Sequence, residues 1–160
     1  GPMFGVGQHE DDKTDTRRQL NLPAPPAACK GVSVSVQSLA DLRGKDGVVN
    51  VVAAGCVLCQ KEHPELVRFA AQHAKNDDAA VMQIVYSDRS STVRNFLIKH
   101  GGDWTVLDDP IGAIALDWGV RGLPESYLVD PDGIVRAKIT GGATADGLEA
   151  LLRTVEAGGR

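Results

Sequence analysis

Val49-Asn50-Val51-Val52-Ala53-Ala54-Gly55-Cys56-Val57-Leu58-Cys59-Gln60-Lys61-Glu62-His63-Pro64-Glu65-Leu66 decides the fold. Val48 to Ala53 is rich in β-branched residues and carries no charge, the pattern of a strand buried on both faces. From Cys59 the pattern takes the helical period. Cys59, Glu62, His63, Leu66, Val67, Ala70 and Ala74 fall on one side of a wheel, and Lys61, Glu65, Arg68, Gln72 and Lys75 on the other. The first cysteine therefore sits at a helix N-terminus and the second one turn in. Free backbone N–H groups and the helix dipole favour a thiolate at that first position, and the thiolate is the nucleophile. The i, i+3 spacing lets Cys59 close a disulfide with Cys56, so Cys56 is expected to attack and Cys59 to resolve.

Cys-x-x-Cys is also half of a zinc site. A set of Cys29, Cys56, Cys59 and His63 can be drawn, but such sites usually sit in knuckle loops rather than at a strand-to-helix junction. The strand-then-helix setting favours a redox dithiol.

Working outward, 160 residues suffice for one domain with a proper core. A net charge of −4 argues against nucleic-acid binding. No apolar run approaches the roughly 18 residues of a membrane span, and no signal peptide is visible. Gly1-Pro2 resembles the scar of a cleaved tag. Residues 1–28 read as that scar plus a flexible tail or tether, charged from His9 to Arg18 and then proline-rich; residues 29–160 read as the folded domain. Cys29, left over once Cys56 and Cys59 pair, reads as an ordinary thiol, and nothing supports a role for His9.

Residues 31–36 alternate valine with glycine or serine, which predicts a half-buried strand, and Leu39 to Gly44 predicts a turn. The cysteine helix is expected to run to about Lys75, with a kink at Pro64. A strand follows over Val81–Tyr86. A helix from about Ser91, with Val93, Phe96, Leu97 and His100 on one stripe, stops at Gly101. His73 and His100 read as structural histidines. Trp104–Leu107 predicts a short strand. Asp109-Pro110 predicts a helix start, cap then first residue, with Ile111, Ile114, Ala115 and Trp118 facing inward. Glu125–Val129, the turn Pro131-Asp132-Gly133 and Ile134–Ile139 predict a hairpin led by Pro124, either an ordinary trans proline or a cis proline beside the redox helix. Thr144–Glu156 predicts a last helix, with Leu148, Leu151, Leu152 and Val155 inward.

This order resembles the thioredoxin-like proteins of cytochrome c maturation, the group that includes CcmG/DsbE, ResA and TlpA. The resemblance covers about residues 32–155. It rests on Asp41-Leu42-Arg43-Gly44-Lys45, on Asn50 to Leu66, on Gly119-Val120-Arg121-Gly122-Leu123-Pro124-Glu125, and on Tyr127-Leu128-Val129-Asp130 with Gly133 and Ile134. It implies an α/β thioredoxin fold, a central mixed sheet flanked by helices, with an inserted strand and helix and an N-terminal strand extension. It implies Cys56 as nucleophile, Cys59 as resolving thiol and Glu62 as proton carrier. The wheel independently puts Glu62 on the inner face, where burial should raise its pKa. Leu123, Pro124 and Glu125 are implied to line the substrate groove, Pro124 as a cis proline and Glu125 as a second carboxyl at the site.

The implied activity is a protein-disulfide reductase of the bacterial cell envelope, monomeric and free of cofactor. An N-terminal membrane anchor outside this sequence is compatible with the resemblance. Its implied substrate is a disulfide-bearing protein, the haem-attachment cysteines of apocytochrome c, and its electron donor a membrane thiol transporter of the DsbD or CcdA kind. The chain departs from the group at Val52 and Gly55, where tryptophans are usual, and at Val57 and Leu58, where a proline is common. Those places tune potential and partner rather than the exchange chemistry. Competing readings are a disulfide-forming oxidant, a peroxide reductase, a copper chaperone using Cys56, Cys59 and His63, and a thioredoxin domain without catalysis. No threonine precedes Cys56 to serve a peroxidase.

Overall fold

The computed structural model describes residues 42, 44–86 and 90–158. The predicted strand at 31–36, Cys29, His9 and the 1–28 tail lie outside the described residues. The elements are β1 (Asp46–Val52), α1 (Val57–Ala74), β2 (Ala79–Tyr86), α2 (Ser90–His100), β3 (Thr105–Asp109), α3 (Ala113–Trp118), β4 (Glu125–Val129), β5 (Val135–Thr140) and α4 (Ala145–Ala157). They build one five-stranded sheet in the order β3-β2-β1-β4-β5. β1, β2 and β3 are parallel, and β4 and β5 are antiparallel to their neighbours. This is the expected mixed sheet. The inserted pair, β3 and α3, puts β3 on its edge.

Every residue of β1 is buried, as its uncharged β-branched run requires. Strand alternation sorts the core into two faces. Val49, Val51, Met82, Ile84, Leu107 and Tyr127 pack with Ile114 and Trp118 of α3. On the opposite face Val48, Val81, Leu128 and Ile139 pack beneath Leu66 and Phe69 of α1 and Leu148, Leu151 and Leu152 of α4. At the C-terminal end of the parallel strands, Val52, Val85 and Val106 meet Cys59, Val93 and Leu97. The cysteine end of the helix is thus seated on an apolar cluster.

Three expectations need correction. The inner face of α1 is Cys59, Glu62, His63, Leu66, Phe69 and His73. Val67 and Ala70 are only half-buried and Ala74 is exposed, whereas Phe69 is fully buried, so the buried stripe in the lower half of the helix runs through Leu66, Phe69 and His73. The third helix begins at Ala113, not at Pro110, and Ile111 is 78% exposed. Asp109 does cap it, but from outside: its carboxylate accepts the N–H groups of Ile114 at 3.0 Å and Ala115 at 2.9 Å across an intervening turn. His100 is exposed, so the inward stripe of α2 is Val93 and Leu97 with a half-buried Phe96. α1 is assigned as continuous helix through Pro64. α2 ends at Gly101, whose φ of +97° suits glycine and whose N–H closes on the Leu97 carbonyl at 2.7 Å.

Candidate active site

Cys56 caps α1. Its backbone is extended, and its Sγ accepts the N–H of Cys59 at 3.1 Å, one of the helix donors otherwise left without a partner. Cys56 and Cys59 are joined as a disulfide with Cα atoms 5.2 Å apart. The two are not equivalent. Cys56 is half-exposed, whereas Cys59 is 7% exposed and packs into the apolar cluster with Val52 and Val85. Val57 and Leu58, between them, are 61% and 57% exposed and put an apolar tip beside Cys56. Gly55 is exposed, and a Cβ there would meet nothing. The place where the related group has tryptophan is open space.

One turn beyond Cys59, Glu62 is 3% exposed. Its Oε1 accepts Asn50 Nδ2–H at 2.9 Å and its Oε2 accepts the Ala143 N–H at 2.8 Å. Burial raises its pKa, and the two donors only partly offset that. The result is a buried carboxyl that keeps its proton more tightly than a free glutamate does, one helical turn from Cys59. The loop before β4 reaches the same end of the sheet. Leu123 borders the cluster that Cys56 and Cys59 share, and Pro124 is buried and joined to Leu123 by a cis peptide bond.

The comparisons agree with this arrangement. Residues 21–152 match the family described as Redoxin. The chain belongs to the Redoxin family. Within it, the thiol:disulfide interchange protein CycY of Rhizobium leguminosarum bv. viciae is 37% identical over 135 residues, which cover 83% of this chain and 70% of CycY. DsbE of Pseudomonas aeruginosa is 40% identical over 103 residues, 64% of this chain and 54% of that protein. The chain therefore spans between about half and about seven tenths of these relatives. Among solved structures, MTB DsbF superposes with a TM-score of 0.68 at 25% identity, covering 86% of this chain and 96% of that one. A DsbF homologue from Corynebacterium diphtheriae superposes at 0.65, with 23% identity and 76% of each chain covered, a likeness in fold.

The Redoxin-family site differs from the sequence expectation at Glu125. Glu125 is not a second carboxyl beside Glu62. It pairs in register with Val51, whereas Asn50 is the β1 residue that reaches Glu62, so strand alternation sends the two carboxylates to opposite faces of the sheet. Glu125 Oε2 accepts the N–H groups of Arg121 and Gly122, each at 3.1 Å, while Oε1 accepts the Tyr127 hydroxyl at 3.2 Å and faces Lys138 Nζ at 3.2 Å. It braces the loop that carries Leu123 and Pro124. His63, drawn into the metal readings, is 4% exposed and donates Nε2–H to the Gly101 carbonyl at 2.7 Å. Its ring lies edge-on to Phe96 at 4.9 Å, and burial lowers its pKa, so it sits as a neutral core histidine. Among the described residues no group of three or more His, Cys, Asp or Glu side chains is arranged to hold a metal ion.

Sequence reasoning missed Asn50, Gln83, Ser126 and Trp104. Gln83 Nε2 donates to Asn50 Oδ1 at 3.0 Å, Asn50 Nδ2 also donates to Ser126 Oγ at 2.9 Å, and Trp104 Nε1 donates to Gln83 Oε1 at 2.8 Å. The signal was present. Asn50 and Gln83 are lone polar residues inside apolar strands, and a polar group buried there needs partners.

Proposed function

We propose that this Redoxin-family chain is a thiol–disulfide oxidoreductase that reduces disulfides in polypeptide partners. The observation that carries it is the unequal cysteine pair at the head of α1, with Cys56 partly exposed and Cys59 buried a turn before a buried carboxyl. In the reduced protein the Cys56 thiolate attacks one sulfur of the partner's disulfide. A Cys56–partner disulfide forms and the partner's other sulfur leaves as a thiolate. Cys59 gives its proton to Glu62, attacks Cys56 Sγ and releases the partner's second thiolate. The sum is one partner disulfide reduced and one Cys56–Cys59 disulfide formed; two electrons move, the Cys59 proton passes through Glu62 to one departing thiolate, and the other takes from solvent the proton that Cys56 gave up when it ionised. Pro124 and Leu123, with the apolar tip of Val57 and Leu58, form the surface on which an extended polypeptide lies.

By resemblance, the physiological partner is apocytochrome c, with oxidised haem-attachment cysteines, in the bacterial cell envelope. Electrons return through a membrane thiol transporter. The names of CycY and DsbE as thiol:disulfide interchange proteins support the exchange chemistry. No helix of the described residues is long and apolar enough to cross a membrane.

A redox titration tests the direction. The protein is equilibrated in graded thiol/disulfide buffers, quenched with an alkylating mass tag and weighed. The proposal expects one two-electron transition at Cys56 and Cys59, near thioredoxin's roughly −270 mV or modestly above it. A value near roughly −120 mV reverses the electron flow and makes the protein an oxidant.

A further inference from the structure

Both oxygens of the Glu62 carboxylate face donors, and the direction of one of them is set three residues away. An indole N–H can only donate. Trp104 Nε1–H takes Gln83 Oε1 at 2.8 Å, which leaves the amide nitrogen of Gln83 to face Asn50 Oδ1 at 3.0 Å. With its oxygen taken, Asn50 must turn its own nitrogen to Glu62 Oε1 at 2.9 Å and Ser126 Oγ at 2.9 Å. Register makes this row: Asn50 is paired with Gln83 on β2 and with Ser126 on β4, so the three side chains stand side by side on one face. Asn50, Gln83 and Ser126 are 0%, 3% and 1% exposed, so water cannot substitute for a lost partner.

We propose that Trp104, Gln83 and Asn50 are positioning residues: a one-way hydrogen-bond chain that holds a donor against Glu62 and so sets how tightly Glu62 keeps its proton during exchange. The inference rests on the reading of Glu62 as proton carrier and adds what tunes it. Direction decides the sign. An N–H facing Oε1 favours the carboxylate, whereas an oxygen in its place is satisfied only by the protonated acid. Burial pushes toward the acid, so the chain acts as the counterweight. The other groups around Glu62 are Cys59, His63 and Glu65 on α1 and the Ala143 N–H before α4. Glu65 is occupied with the Ala145 N–H at 2.9 Å and Arg68 at 2.9 Å, and Arg68 also faces Asp146 at 3.8 Å. None of these charged side chains is a hydrogen-bond partner of Glu62.

The test is a 13C carboxyl NMR titration of Glu62 in the oxidised protein, with the pH profile of disulfide reduction measured in parallel. Trp104→Phe keeps an aromatic ring, smaller than the indole, at this half-buried position and removes the N–H. Asn50→Leu removes the donor itself. We expect the Glu62 midpoint to rise about threefold in proton affinity, half a pH unit, in Trp104→Phe, and about tenfold, one pH unit, in Asn50→Leu. The reduction profile should move with it. Should Asn50→Leu fail to fold, Trp104→Phe alone decides. A folded Trp104→Phe protein with an unmoved Glu62 midpoint overturns the proposal and leaves the row as core packing. A midpoint that moves while the reduction profile stays fixed, with Glu62→Gln also keeping the wild-type profile, overturns the proton-carrier reading instead.

Discussion

At the scale of single residues, the chemistry depends on small differences in exposure. Cys56 and Cys59 are three residues apart, yet one is half-exposed and the other 7% exposed. That asymmetry follows from the helical period, and the sequence displayed it openly. Glu62 was legible for the same reason. Its partners were not, because a wheel describes one helix and cannot say which strand residue stands opposite. Glu62→Gln should slow the second step of exchange, release of the partner from the mixed disulfide, by roughly 10²-fold near neutral pH, the order of a general acid–base contribution. Rapid quench and mass measurement of the mixed disulfide would show it accumulating. Stability responds too. A carboxyl whose folded pKa is raised binds its proton more tightly in the native state. Its stabilising contribution is complete below the unfolded carboxylate pKa and is lost as pH rises through the folded value. Denaturant titrations at several pH values should show that decline in the wild type and its absence in Glu62→Gln.

Among the elements, α1 is pinned at both ends. At its last turn His73 lies between Asp78, with Nδ1 at 2.9 Å, and Glu149 of α4, which meets Nε2. Burial alone would lower the His73 pKa, but hydrogen bonds to the two carboxylates outweigh it and raise the pKa. The clasp is therefore at full strength below the ordinary histidine range and weakens as pH rises through the raised folded value. His73→Ala should cost about 1–2 kcal/mol at pH 6, discounted because Asp78 is exposed, and clearly less at pH 9, by thermal or denaturant melts. The sequence offered His73 only as a structural histidine; its partners lie 5 and 76 residues away, and no local pattern reports the second. Gly102 matters for a similar non-local reason. Its φ is +102°, and a Cβ there would lie 2.8 Å from the Trp104 ring. Gly102→Ala should destabilise by about 1–3 kcal/mol and displace Trp104, visible as a shift in its fluorescence. Helix starts were the weaker part of the sequence reading. Asp109-Pro110 looked like a cap and first turn, but the carboxylate reaches over a turn to amides five and six residues on.

For the whole molecule, the order of elements and the strand character of β1, β2, β4 and β5 were readable from the residue pattern, since each strand is short and bounded by turn residues, β1 and β2 being largely apolar and β5 alternating apolar with charged positions. The sheet order was not, because hydrogen bonding between β1 and β4 joins residues some 80 positions apart, and it came only from the resemblance. Glu125 shows the limit: its place in the motif was right, but the pleat sends its side chain to the α3 face. Two cores, one on each face, carry the sheet, and a third apolar cluster at the C-terminal end of the parallel strands seats the cysteines. Phe69, fully buried beneath α1, should cost about 3–5 kcal/mol when replaced by alanine. The folded fraction should still exchange disulfides at the wild-type rate, because Phe69 lies more than two turns beyond Cys59. The central claim is that Cys56 attacks and Cys59 resolves. The most direct measurement is intact-mass analysis of reduced Cys59→Ser and Cys56→Ser proteins, each mixed with a disulfide-bonded Cys-x-x-Cys-His peptide. The account predicts that Cys59→Ser accumulates a stable one-to-one mixed disulfide mapped to Cys56, and that Cys56→Ser captures almost none. Capture by Cys56→Ser at Cys59, or by neither variant, would contradict it.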